Sequence, residues 1–180
     1  MDLRTERTKR SIANAFLELR KQKPLEKITV KELAEHAYIN KATFYTHYHD
    51  IYDLSDQLEN ELLDQIIHEL PHPESIVTNP SLTTKELAEV MTSPAINDML
   101  YTLFSDSRKG YLSEKLYIAI RKPIDALYPE KKDDLQHNIV LSIIIQGCFH
   151  AFQTFDNGEN RAEVVRIIGA INDNLKKNFL

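Results

Sequence analysis

Residues 68–72 read His-Glu-Leu-Pro-His, the H-E-x-x-H spacing in which two histidines grip a zinc ion and the glutamate between them serves as general base. That chemistry needs both rings on one face of a continuous helix. Pro71 sits inside the turn, removes a backbone donor and pushes Leu70 out of helical conformation, so His68 and His72 are not expected to converge. No third ligand is signalled. A helix running out into a loop is the plainer reading, and a small helical metalloenzyme using His68 and His72 is the remote alternative. A second group of ligand-type side chains, His47, His49 and Asp50, straddles the end of one short helix and the start of the next, where Asp50 serves better as a cap. We therefore expect no metal site and no cofactor. The sequence also lacks a Gly-rich phosphate loop, a nucleophile elbow and a C-x-x-C pair, so we expect no enzyme.

The elements around these residues all carry helical periodicity. Ile12, Ala15, Phe16 and Leu19 share one face of a first helix from about Thr8 to Lys21, which "KQKPLEK" ends. Thr29 and Glu32 form a capping box for a short second helix, Val30 to His36, with Ile28 and Leu33 as its hydrophobic staple. Asn40 is the N-cap of the third, "KATFYTH". At 100° per residue Phe44 and Tyr48 lie on one face and Ala42, Thr43, Tyr45 and Thr46 on the other. The first face can pack; the second is small or hydrogen-bonding, and uncharged. Asp50 caps a longer helix with the stripe Ile51, Leu54, Leu58, Leu62 and Ile66, and "PHPESIVTNPS" is the one linker-like loop. Further helices are expected near 84–91, 94–105, 112–127, 132–154 and 160–178. The fold expected is all-α.

Two short helices joined by the turn "AYI" make a helix-turn-helix, whose second helix lies in the major groove with its N-terminal residues against base edges. Ala42 and Thr43 permit close approach, Thr43 and Tyr45 can touch bases or phosphates, and Lys41 and His47 flank them. Charge agrees. Residues 1–50 hold ten Lys and Arg against seven Asp and Glu, whereas the rest hold twelve against twenty. A basic end on an acidic body points to a polyanion at that end only.

The stretch "ITVKELAEHAYINKATFYTHYHDIYDL" resembles the tetracycline-repressor-like family of bacterial transcription regulators, whose pattern is a capped helix, a turn and "K-G-T-F/L-Y-x-H-F". The resemblance covers about residues 8–55, and the "INKATFYTHYHDIYDL" wording is similar to the branch common in Gram-positive bacteria. It implies a homodimer that offers two recognition helices to a palindromic double-stranded DNA operator, usually released by a small-molecule effector. It also implies a DNA-binding domain at 1–50 and a helical regulatory and dimerisation domain at 51–180. By position Thr29, Asn40, Lys41, Ala42, Thr43, Tyr45 and His47 would contact DNA. Three positions depart from the family. Tyr38 stands where a turn glycine is frequent, so a backbone with φ > 0 there would be strained. Ala42 replaces another glycine. Ile51 stands where many members carry a phosphate-holding lysine, which shifts weight to Lys31 and Arg10.

Beyond residue 55 the sequence is less specific. Tyr101, Phe104, Tyr117, Phe149, His150 and Phe152 could line an effector pocket or be ordinary core. The lone Cys148, between Gly147 and Phe149, reads as a buried small hydrophobe. Residues 138–152 are apolar on nearly every face, and Val164, Ile167, Ile168, Ile171 and Leu175 form a stripe on the last helix. With Ile143, these are the expected dimer interface. The longest apolar run, "IVLSIII", falls far short of the roughly 20 residues of a membrane span, so a cytoplasmic protein without membrane contact is expected. A co-regulator whose C-terminal domain binds a protein partner is the alternative within the same fold.

Overall fold

The computed structural model describes residues 3–72 and 75–179. It is 82% helix, with no strand among the described residues. Pro73 and Glu74 of the linker-like stretch lie outside them. The chain divides into two compact units, residues 1–62 with 98–110, and residues 63–97 with 111–180. The second unit was expected to hold everything after residue 50; instead, residues 51–62 and a segment from the middle of the chain cluster with the N-terminus.

In the first unit, α1 (Leu3–Arg20), α2 (Val30–His36) and α3 (Lys41–Tyr45) are followed by α4 (Ile51–His68), whose first part belongs here. α2, α3 and α4 each begin where the sequence supplies a cap. The Glu32 N–H donates to Thr29 Oγ1 (3.2 Å), and Ile28 and Leu33 are buried as the staple requires. Asp50 Oδ1 accepts from the Asp53 N–H (2.8 Å), and Asp53 Oδ2 accepts in return from the His49 N–H (2.8 Å). The hydrogen bond from the Gln57 amide, then that from the His49 N–H, holds the Asp53 carboxyl below its usual range. Ile12, Phe16, Leu19, Leu33, Phe44 and Leu54 are fully or almost fully buried, and losing a side chain such as Phe44 would cost about 3–5 kcal/mol.

The turn after α2 is a Schellman motif. The Tyr38 N–H donates to the Glu35 carbonyl (3.3 Å) and the Ile39 N–H to the Ala34 carbonyl (3.0 Å), which leaves Tyr38 left-handed at φ 55°. Its ring is 96% exposed. The Ser11 hydroxyl donates to the Ala37 carbonyl (2.9 Å) and ties the turn to α1.

Residues 98–110, the later part of α7 (Pro94–Leu103) and the turn after it, are clipped to this unit by polar ties. Lys21 pairs with Asp98 (2.7 Å). Buried Arg20 donates to Ser105 Oγ (2.5 Å), and Ser107 donates to Glu26. Arg108 grips the fully buried Glu59 with Nε (2.8 Å) and Nη2 (2.6 Å) and also pairs with Asp56, while the Ser55 hydroxyl donates to Glu59 (2.8 Å). This fork-to-carboxylate geometry gives the arginine its two-point hold.

The second unit contains α5 (Ser75–Thr78), α6 (Pro80–Thr92), α8 (Leu112–Leu127), α9 (Leu135–Ser142), α10 (Cys148–Phe155) and α11 (Arg161–Phe179). A π-helical segment, Ile143–Gly147, joins α9 to α10, so the expected continuous helix over 132–154 is wound more widely at its middle. α11 lies close against α6: a Cβ on Gly169 would stand 3.0 Å from the Ser81 Cβ, and Asp173 accepts from the Ser81 N–H (3.1 Å) at the start of α6.

Candidate nucleic-acid interface and buried cavity

α3 is fixed from both sides. At its start Asn40 Oδ1 accepts from the Thr43 N–H (2.7 Å) and the Thr43 hydroxyl (3.0 Å). On its inner face Phe44 is fully buried, with the Tyr48 ring 5.6 Å and the Tyr45 ring 5.4 Å from it, centroid to centroid. Burial pushes the Tyr48 hydroxyl up to about 12, with lesser contributions from Glu61 and Asp53, so it stays protonated at neutral pH.

The outward face is the remainder. Lys41, Ala42, Tyr45 and Thr46 are exposed, Thr43 and His47 are half-buried, and Asn40, Thr29, Lys31 and Arg10 are exposed. Thr46 donates to the Thr43 carbonyl (2.7 Å). Together these residues offer small, hydroxyl, amide, aromatic and cationic groups to solvent. Ile51 is buried and takes no part in it. The half-exposed Tyr52, at the first turn of α4, was not anticipated; an aromatic directly after the apolar helix start was its only signal.

The zinc-protease geometry is absent. α4 ends at His68, and His72 Nδ1 lies 2.6 Å from Glu86, so the two histidines do not share a helical turn. Among the described residues no group of three or more His, Cys, Asp or Glu side chains could hold a metal ion.

In the second unit α6, α8, α10 and α11, with Ile76 of α5 and the π-helical segment, line a half-open cavity of about 90 Å³. Phe149 and Phe152 line it, as expected. Four expected members do not. Tyr101 is 75% exposed and Phe104 is core, and both belong to the first unit. His150 faces outward on α10, and the half-buried Tyr117 accepts from Arg121 (2.9 Å) away from the cavity. The polar groups at the cavity are Thr83, Thr84, Cys148 and Asn172. Asn172, a polar residue one helical turn after Ile168 in an otherwise apolar stripe, was the sequence signal for them.

The expected dimer stripe is split. Ile168 is buried, 5% exposed, and lines the cavity, because its side of α11 faces α6. Val164 and Leu175 are half-buried. Ile167 and Ile171 point outward, as do Leu135, Ile139 and Ile143. An 18-residue window of Leu135–Phe155 has a mean hydropathy of 1.3 and passes for a membrane span by length and composition once its polar interruptions are included; 17% of that window is buried. Compared with protein-family models, curated proteins and solved structures, the chain gives no match.

Proposed function

We propose that the chain is a dimeric DNA-binding transcription regulator, a repressor of the tetracycline-repressor-like kind, released from a palindromic operator by a small-molecule effector. The observation that carries this reading is the α3 surface. A five-residue helix is held by a cap and a buried aromatic, and it turns only small, hydroxyl, aromatic and cationic groups outward. Those groups fit base edges and phosphates. Lys41, Lys31 and Arg10 would meet phosphates; Thr43, Tyr45 and Thr46 would meet bases or well-placed phosphates, with Thr29, Asn40, Ala42 and His47 around them.

A second copy is the proposed cover for the outward row of Ile139, Ile143, Ile167 and Ile171, since four helices, two from each subunit, bury such rows efficiently. The cavity supports a small-molecule effector over a protein partner. Release requires only that the effector bind the DNA-free form more tightly than the DNA-bound form.

Selection of bound fragments from random DNA tests the reading, and a palindrome with half-sites about 34–36 Å apart is the expected product. On the selected site Tyr45→Ala and Thr43→Ala should each cost about 1–3 kcal/mol of affinity without loss of thermal stability. Lys41→Ala should weaken all DNA alike and reduce the salt dependence by about one unit of slope. Failure to enrich any sequence would end the proposal.

A further inference from the structure

We infer that the cavity between α6, α8, α10 and α11 takes an uncharged, largely apolar molecule whose one polar group is held by Asn172. The ligand class rests on the cavity itself, and its role as effector rests on the regulatory reading above. Native cores carry few voids larger than a water molecule, and this one holds about 90 Å³. A dry core cavity of about 150 Å³ takes benzene, so this one has room for roughly four non-hydrogen atoms, and a longer chain reaches into its open mouth.

The walls decide the chemistry. Ile, Leu, Met, Phe, Ala and Pro side chains make up most of the lining, and no described lining residue is charged. A carboxylate or ammonium inside would lose its hydration without gaining a counter-ion. One polar point remains, since the Thr83 hydroxyl is already bonded to that of Ser75 (2.6 Å). Asn172 is buried, 2% exposed; its Nδ2 donates to Thr84 Oγ1 (3.0 Å) and its Oδ1 accepts from the Cys148 thiol (3.0 Å). The Thr84 hydroxyl is itself spent on the Pro80 carbonyl (2.8 Å). A primary amide has two N–H donors and two lone pairs, so one of each is left over at Asn172. A ligand hydroxyl uses both. Burial pushes the Cys148 thiol up, so Cys148 stays a neutral donor and adds no charge to the wall.

A second feature points to the same place. The π-helical segment Ile143–Gly147 supplies Ile144 and Ile145 to the wall and leads into Cys148. Such widened turns are rare and frequent at functional sites.

Cys148 is the only cysteine, which makes its alkylation by N-ethylmaleimide a direct report on the cavity. The full-length protein would be labelled with 1-hexanol or hexanoate present, the same chain with a neutral or a charged end. At ten times its Kd a ligand leaves about one site in eleven open, so 1-hexanol should slow alkylation about tenfold and raise the Tm. Hexanoate at the same concentration should do neither. Ala88→Leu fills the cavity from α6 and should abolish the response to 1-hexanol; Ala88→Val, a smaller intrusion, should weaken it if the leucine variant does not fold. Equal protection by the two probes, none by 1-hexanol, or an undiminished response in the Ala88 variants overturns the ligand class. DNA affinity is measured separately. Protection of Cys148 with unchanged DNA affinity upholds the ligand class and removes its regulatory role; DNA binding without any protection does the reverse.

Discussion

Replacing Tyr38 with glycine should stabilise the protein, although it deletes a whole aromatic ring. A left-handed backbone costs an L-residue about 1–2 kcal/mol, and Tyr38 pays that at φ 55°. Glycine removes the strain but costs about 0.5–1 kcal/mol in backbone entropy. The ring gives back almost nothing. It is 96% exposed, so about 4% of some 200 Å² is buried, worth about 0.2 kcal/mol at 25 cal/mol per Å². The balance favours glycine by about 0.5 kcal/mol, or about 1–2 °C in Tm for a chain of this length. Asparagine tolerates the left-handed region without glycine's full entropy cost and should gain at least as much. Tyr38→Ala keeps the strain and should match the wild type. Urea denaturation of the four proteins at one concentration checks the order. Glycine and alanine variants of equal stability, or a glycine variant less stable than wild type, would refute the reasoning.

Arg108→Ala should cost about 3–5 kcal/mol in the same assay, because it leaves the fully buried Glu59 carboxylate without its cation; the paired replacement Arg108→Met with Glu59→Met should recover most of that loss. Ile171→Glu and Ile143→Glu should turn a dimer into a monomer in sedimentation and abolish operator binding with α3 untouched, whereas Ile168→Glu should unfold the second unit instead, since Ile168 is buried. His137 is buried with Nε2 unpartnered, and burial, then Arg121 and Lys131, hold its pKa below 6.5 against the opposing pull of Asp134 and Asp125. The unfolded chain therefore binds a proton that the folded one refuses, so this contribution is intact above pH 6.5 and is lost as pH falls below it. His137→Gln should flatten the fall in Tm over that window.

What was legible in the sequence were features set by neighbours a few residues apart. The caps at Thr29, Asn40 and Asp50, the staple of Ile28 with Leu33, and the rotation of α3 all follow from backbone donors that need partners and from a period of 3.6 residues. The strained turn at Tyr38 was legible only through the resemblance, which places a glycine there. What was hidden depends on residues far apart. Nothing local marks Ser105, Ser107 and Arg108 as partners of Arg20, Glu26 and Glu59, because charged residues near a helix end usually face water. The stripe on α11 was read too broadly: Ile168 and Ile171 are about 60° apart around the helix, and only the closeness of α6 at Gly169 decides which of them turns inward. The cavity was legible only at Phe149 and Phe152, because its polar point comes from Asn172 and Thr84, which no aromatic pattern marks.

The clip of residues 98–110 onto α1 and α4 means that the first unit cannot be cut out as a continuous piece of chain. A fragment ending at residue 50 or 62 would lack Ser105, Asp106 and Arg108, leaving Arg20 without two of its partners and, in the longer fragment, Glu59 without its cation. The same holds for chimaeras. The three N-terminal helices grafted onto another body at the end of α3 would arrive without the distant segment that completes their unit. Recombination can exchange such a unit only when both stretches of chain travel together, so its exposed α3 face is free to change by substitution but not by shuffling.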